Sequence, residues 1–430
     1  MTSGVTQIAE RDRSWFLKAA EPARAQWRRS PYPEQVTGQP PVVTTRFVEP
    51  ADLLDLIPPK VAPLTWIHEG EGLVGWDVAA TTTVRGPERF ARAQRWWARF
   101  CEAAQTDDEV MAPGTGPVAF ASFAFDADAE SVVTIPGTIV GQRDGKAWIT
   151  KITPSQPMPQ LASQSSQVPV AEREHYERLV ADAVREITAG LFDKVVLARG
   201  ERVAGEVDVH RTLRRLADRY SDCWTFSVHG LVGATPELLV QRTGEQVMSR
   251  VLAGTVPRSS DEAESGELAS GMVASQKARE EHAYAVMSVA QALGTHCTDL
   301  FVPNEPRVLR LANVQHLATD VHAMLVDDTS VVAIAGALHP TAAVCGTPTE
   351  RALQYILSRE GLARGRYAGP VGWFDANGDG EFGIALRCGQ VTEGAIDLFA
   401  GCGIVAGSDP ASEFEESQSK LAAMRWALGD

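Results

Sequence analysis

Near the end of the chain, SEFEESQSKL (412–421) gathers Glu413, Glu415, Glu416 and Lys420 within ten residues. On a helical wheel at about 100° per residue, Phe414, Leu421, Met424 and Leu428 form one apolar stripe. Glu413, Glu416 and Lys420 cluster beside it, bordered by Ala423 and Ala427, while Glu415 points the opposite way. Small neighbours imply close packing beside the acids. Two chemistries fit. One is an exposed Glu416–Lys420 pair four residues apart, of a kind worth ~0.3–0.5 kcal/mol. The other is half a site for a hard divalent cation, which takes few carboxylates and completes its shell with water and substrate oxygens. Glu281, in KAREEHAYAV (277–286), is a second acid of this type. It borders the stripe His282, Val286, Val289 and Leu293, beside Ala278, Ala285 and Ala292; spacing alone favours a surface carboxylate over a ligand.

Lys194 could supply a base. Strand alternation in DKVVLAR (193–199) sets it on one face with Val196 and Ala198. Desolvation there disfavours the ammonium, and a base useful near neutrality needs a drop of about three units from ~10.4. The alternative is an edge-strand lysine snorkelling to water. CGTPTE (345–350) reads as a helix start, with Thr347 as N-cap, Pro348 first in the helix and Glu350 closing a capping box. Gly346 before it would let an anion approach the backbone. The glycines of GCG (401–403) offer a similar amide surface. DANGDGEF (375–382) imitates the front of a calcium loop, but the twelfth position is Leu386, so it reads as a hairpin turn.

These residues need elements to hold them. Val42 to about Ile152 mixes short strands with a helix at WWARFCEAA, after a polar start that reads as a helix and then a loop. The Pro-, Gln- and Ser-rich stretch 153–170 is a loop or linker, and pattern alone leaves open whether it divides two domains. A helix follows on Tyr176, Leu179, Val180, Ala183, Val184 and Ile187, with Gly190 at its end. Then come KVVLAR as a strand, a helix at TLRRLADRY, the strand CWTFSVHG, and a hairpin of ELLVQR and QVMSRVLAG around TGE. A long helix spans about 275–293. AGPVGWFD, EFGIALRCG and AIDLFAGCGIV read as a meander before the last helix.

The chain has 430 residues, 44% of them hydrophobic, and a formal charge of −15. That balance argues against nucleic acid or an anionic membrane as partner, since both demand a basic face. The start MTSGVTQIAERDRSW lacks a signal-peptide pattern, and no run approaches 18 apolar residues. The six cysteines are scattered without a C-x-x-C, which fits a reduced cytoplasmic protein.

Taken in order, DKVVLAR, GATPELL, VLAGT, KAREEH, VQHLAT, HPTAAVCGTP, YAGPVGW, IALRCG, GCGIV and EFEESQSKL resemble the chorismate-utilising enzymes. LVGWDVAA and PVAFASFAFD look like isochorismate synthases within that family. The resemblance implies an α/β (α+β) fold: one large domain of two packed, mainly antiparallel sheets flanked by helices. It would hold an N-terminal sheet region at 42–152, a surface loop at 153–170 and a chorismate-binding core at 172–428. Position by position, it makes Glu281 and Glu416 ligands of Mg2+, with Glu413 as a supporting acid. It makes Lys194 the base that activates water for attack at C2, and Glu237 the acid that protonates the departing C4 hydroxyl. Tyr367, Arg387, Lys420 and the amides of Gly346, Gly401 and Gly403 would contact carboxylates. Gly254 and Thr255 would shape the ring pocket, and His316 and His339 would stand in its wall. Lysine at 194 points to water rather than ammonia, so no glutaminase subunit is expected. Alanine at 343, where lyase and aminating members carry threonine, points to isochorismate synthase, an isomerase of menaquinone or siderophore biosynthesis; salicylate synthase is the alternative. Cys345 and Cys402 depart from the usual serine and alanine. A monomer is expected.

Overall fold

The computed structural model of the chain describes residues 40–158 and 173–429. The helix and loop expected over residues 1–39, and most of the loop 153–170, lie outside them. Two large sheets dominate the described residues, one of twelve strands and one of ten. Strand neighbours are antiparallel, except that Val42–Val48 runs parallel to Gln105–Asp108. Trp66 and Phe226 of the first sheet join Phe120, Trp373 and Phe382 of the second in one core.

Helices Val209–Arg219 and Pro410–Leu428 cover another face of the twelve-stranded sheet. Their Leu213, Leu216, Leu421 and Met424 pack with Val232, Ile396 and Leu398. Alternation does the sorting: in Leu231–Thr235, Leu231 belongs to the main core and Val232 to the helix-covered one. A strand packed on both faces must be apolar throughout, which is why LVGAT carries no charge.

The question of a domain boundary at 153–170 is resolved by pairing. Lys146–Thr153, just before that stretch, and Lys194–Ala204, after it, are strands of the same twelve-stranded sheet. The described residues from Pro40 onward form one compact unit.

The expected C-terminal meander is corrected. Pro370–Asp375 and Gly380–Ile384 lie in the ten-stranded sheet, but Cys388–Thr392 and Ala395–Ile404 lie in the twelve-stranded one. The chain changes sheets across Ala385–Arg387, and Arg387 adopts φ 48° there. A second change occurs at Pro236–Glu237, between Leu231–Thr235 and Leu238–Thr243. The two crossings are tied together. Thr235 Oγ1 donates to Ile384 O at 2.6 Å, Ile384 N to Glu237 O at 3.1 Å, and Ala234 N to Arg387 O at 3.2 Å. Two charged residues are thereby delivered between the sheets.

The capping box at CGTPTE is also corrected. Gly346–Thr347 forms a two-residue strand against Lys194–Val195, and the helix starts at Thr349 with Pro348 as an N-cap that makes no side-chain bond. Pairing with Lys194 recruits Thr347 away from capping. DANGDGEF is the hairpin turn expected: Asp375 accepts from Asn377 N at 2.9 Å and Asp379 N at 3.1 Å.

Candidate active site

Lys194 opens its strand with a fully buried side chain. The snorkelling alternative is therefore excluded. Its Nζ lies 3.3 Å from Glu281 Oε1, an ion pair whose geometry makes no hydrogen bond. Glu281 comes from the helix Gln276–Leu293, capped by Ser275. Gly403, on the neighbouring strand opposite Val196, makes the encounter possible. A Cβ there would fall 2.2 Å from Glu281 Oε1 and 3.0 Å from Lys194 Cε.

Beside this pair is a cavity lined by Glu237, Gly254, Thr255, Glu281, His316, Ala343, Tyr367, Arg387, Gly401, Gly403 and Lys420; Lys194 itself is not among its lining residues. Glu237 is 5% exposed. Burial pushes its carboxyl up to about 8, against the pull of Lys194, Arg387 and Lys420, so it carries a proton at neutrality. Burial lowers His316 well below the usual imidazole range, with Arg387 and Lys420 adding to the effect. His316 Nε2 sits 3.4 Å from Arg387 Nη2, which can only donate. The ring proton therefore belongs on Nδ1, which faces Gly254 O at 3.3 Å and Thr255 Oγ1 at 3.1 Å.

Lys420 Nζ pairs with Glu416 Oε1 at 2.6 Å and donates to Gly401 O at 2.8 Å. Burial disfavours its charge, but the Glu416 carboxylate beside it outweighs that, and the ammonium is held above its ordinary range. Tyr367 stacks on Phe399 at 5.1 Å between ring centroids, and burial raises its phenol, keeping it neutral. A Cβ at Gly401 would meet Tyr367 Oη at 3.0 Å.

Glu413 and Glu416 come together with Cys402, while Glu281 faces the same chamber as Glu416 without joining that tight group. Glu281 and Glu416 both line an adjoining outer chamber of about 570 Å³, which also shares Gly254 and Thr255 with the inner cavity. Glu413 is buried behind, with a carboxylate oxygen within 4.8 Å of ligand atoms of Glu416 and Cys402. Carboxylate oxygens suit a hard cation. The Cys402 thiol does not compete: burial raises its pKa and its hydrogen points at Glu413 O, 3.3 Å away. The residues thus fit Mg2+. Glu415 faces out and pairs with Arg173 at 2.8 Å.

Besides Lys194 and Glu413, which stand just behind the walls, two further expected residues stand elsewhere. His339 does not line the cavity; its Nε2 faces Phe125 O at 3.1 Å between Phe90 and Phe125, and burial pushes it down to about 3. It ends the helix Val331–Leu338, a position fixed by core packing. Gly346 is also absent from the lining. Its φ of 147° and a Cβ position only 2.1 Å from Lys194 O show that it is glycine to let the short strand approach. Conversely, Arg364 lines the cavity and was not anticipated, because it lies on no periodic element. Its only signal was its place three residues before Tyr367 in RGRY.

A family described as chorismate binding enzyme matches residues 62–150 and 138–429. The chain belongs to the chorismate-binding enzymes. It is 32% identical to the salicylate biosynthesis isochorismate synthase of Pseudomonas aeruginosa, with 92% of this chain and 91% of that protein covered. It is 40% identical to the isochorismate synthase DhbC of Bacillus subtilis over 61% of this chain and 69% of that one. Among solved structures, a 2,3-dihydroxybenzoate-specific isochorismate synthase of Bacillus anthracis, designated putative in its description, superposes with a TM-score of 0.73 at 32% identity, covering 88% of this chain and 98% of that chain. The two-sheet architecture of this chorismate-binding enzyme is thus shared with such a protein along nearly its whole length.

Proposed function

We propose that this protein is an isochorismate synthase, adding water at C2 of chorismate and expelling the C4 hydroxyl. The observation that carries the reading is a buried amine, held beside Glu281, next to a cavity whose wall carries the protonated carboxyl of Glu237. Glu237 lines the cavity from a sheet crossing, and Lys194, at a strand start, lies against the cavity residue Glu281 at 3.3 Å. Such a placement supports opposite-face chemistry, in which one group takes a proton while the other gives one. Lys194 acts as the base toward the attacking water. Glu237 protonates the hydroxyl as it leaves. One water enters and one departs, so the reaction is an isomerisation.

Chorismate is a dianion and the protein is acidic, so binding needs cations gathered in one place. Arg387, Lys420, the Tyr367 hydroxyl and the backbone at Gly401 and Gly403 line the cavity where a carboxylate would sit. Gly254, Thr255, Ala343 and His316 border the ring. Mg2+, when held by Glu281 and Glu416 with Glu413 behind them, supplies positive charge to a substrate carboxylate and draws the Glu281 charge off Lys194. The scattered, unbridged cysteines support a cytoplasmic setting, and the reading needs no second subunit. No helix among the described residues is long and apolar enough to cross a membrane.

The test is purified protein with chorismate and Mg2+, followed by chromatographic identification of the product. Isochorismate is expected, with turnover abolished by EDTA and restored by Mg2+. Salicylate as the main product would replace this reading with salicylate synthase; unchanged turnover without metal would overturn the ligand assignment.

A further inference from the structure

The strand that carries Lys194 has an incomplete neighbour on one side. Gly346–Thr347 pairs only with Lys194 and Val195. Val196 N still finds a backbone partner, Cys345 O, at 2.7 Å. Beyond that point two side chains take over the ladder. Val196 O accepts from Arg364 Nη2 at 2.7 Å, and Ala198 N donates to Glu360 Oε2 at 2.8 Å. Arg364 and Glu360 are joined by a two-pronged contact, Nε to Oε1 at 2.7 Å and Nη2 to Oε2 at 2.6 Å, and each is 4% exposed. Arg364 Nη1 also donates to Val344 O at 2.9 Å, and the guanidinium lies 4.2 Å from the Phe125 ring centroid.

We propose that the Glu360–Arg364 pair is a positioning device for the active site, holding the Lys194 strand and the Val344 wall at the spacing the reaction needs. This rests on the water-addition reading above. A buried ion pair is a poor choice for stability alone, because desolvation cancels much of its attraction and an apolar pair serves as well. An apolar pair could not satisfy Val196 O, Ala198 N and Val344 O, which are buried backbone groups that need partners. Arg364 lines the cavity, yet four of its five N–H groups are spent on Glu360, Val196 and Val344. Its main action is therefore through the backbone. The same turn carries Tyr367, whose N donates to Arg364 O at 3.0 Å, so the pair also registers a second cavity residue. A planar fork spans these separated acceptors in fixed directions; a lysine, whose donors all radiate from one nitrogen, cannot reproduce that spread.

The experiment compares wild type, Arg364→Lys and Glu360→Gln in two measurements. In steady-state kinetics with chorismate and Mg2+, Arg364→Lys is expected to lower kcat about 100-fold, the scale of a small misplacement of reacting groups. KM should stay within about threefold, because Arg387 and Lys420 are untouched. Glu360→Gln, which keeps the acceptor for Ala198 N, should retain more activity. The second measurement is labelling by an amine-selective reagent, read by mass spectrometry at residue 194. The buried amine is protected in wild type, and the Arg364→Lys protein should label about tenfold faster or more at a temperature where it remains folded. Folded variants with wild-type kcat and wild-type protection of Lys194 would overturn the proposal. If Arg364→Lys fails to fold, Glu360→Gln decides by the same two readouts. A wild type that makes no isochorismate defeats the functional reading, and the labelling still judges the positioning role.

Discussion

At the scale of single residues, the site depends on carboxyls with different tasks. Glu237 is kept protonated by burial, and its carboxyl is pushed up to about 8. Turnover that needs this proton should hold through neutrality and fall as pH rises past about 8; a rate profile against pH checks it. Glu237→Gln should lower kcat by ~10²–10⁴, the usual worth of a positioned proton donor. The same shift has a stability consequence with a definite sign. An unfolded glutamate ionises near its ordinary value of 4.5, while the folded one holds its proton to about 8. Between those limits the native state binds more protons, so stability is lost as pH rises through the window, at up to ~1.4 kcal/mol per pH unit. Chemical denaturation at several pH values should show Glu237→Gln with a flatter profile and more stability than wild type at pH 8. Gly403 makes the complementary case. A Cβ there meets the flexible end of Glu281 first, so Gly403→Ala should fold with a loss of no more than ~1 kcal/mol while Glu281 is pushed off Lys194. Activity should fall tenfold or more, with near-wild-type circular dichroism.

At the scale of elements, the two sheet crossings decide where chemistry sits. Helical residues of the site were legible from period: Glu281, Glu413, Glu416 and Lys420 fell beside apolar stripes lined with alanine, and they pack as those neighbours imply. Lys194 was legible as a charge on an apolar strand face. Glu237 and Arg387 were not legible from pattern, because strand alternation is the same whichever sheet a strand joins. Resemblance to known enzymes singled them out, and the crossings explain why they can serve. The same blindness turned four C-terminal strands into one meander. Gly346 and His339 show the reverse: a backbone approach and a core contact look like site residues when only the motif is visible. The crossings can be loosened without touching the cavity wall. Thr235 is fully buried and bonds Ile384 O with Oγ1, while also accepting from Glu237 N at 3.3 Å. Thr235→Val keeps the shape and removes both bonds. It should cost ~1–2 kcal/mol in thermal or denaturant unfolding, and kcat should fall severalfold because Glu237 and Arg387 lose their common anchor.

At the scale of the whole molecule, a cleft between two sheets is only as rigid as the sheets' attachment to each other, and a single carboxylate contributes heavily to that. Glu381, 6% exposed on the ten-stranded sheet, accepts from Trp66 Nε1 at 2.9 Å and Trp224 Nε1 at 3.2 Å, both on the twelve-stranded sheet. Its other oxygen takes Arg143 of the twelve-stranded sheet and Gln241 Nε2 at 3.2 Å. The tryptophans belong to an aromatic group in which Trp66 and Trp224 stack at 6.4 Å and His68 lies 4.3 Å from Trp224. The carboxylate is thus the acceptor for two buried indoles, and it pairs with the partly exposed guanidinium of Arg143. Glu381→Leu removes it and leaves those donors stranded, which should destabilise the protein by ~3 kcal/mol or more. Glu381→Gln keeps an acceptor oxygen for part of the group and should cost less. None of these residues lines the cavity, so both variants should bind chorismate with near-normal KM well below their unfolding temperatures. Calorimetry paired with kinetics across temperature separates the cases: a lowered Tm with an intact low-temperature kcat identifies Glu381 as a brace between sheets. Loss of kcat in a folded Glu381→Gln protein would show instead that the cavity's geometry is set through this brace.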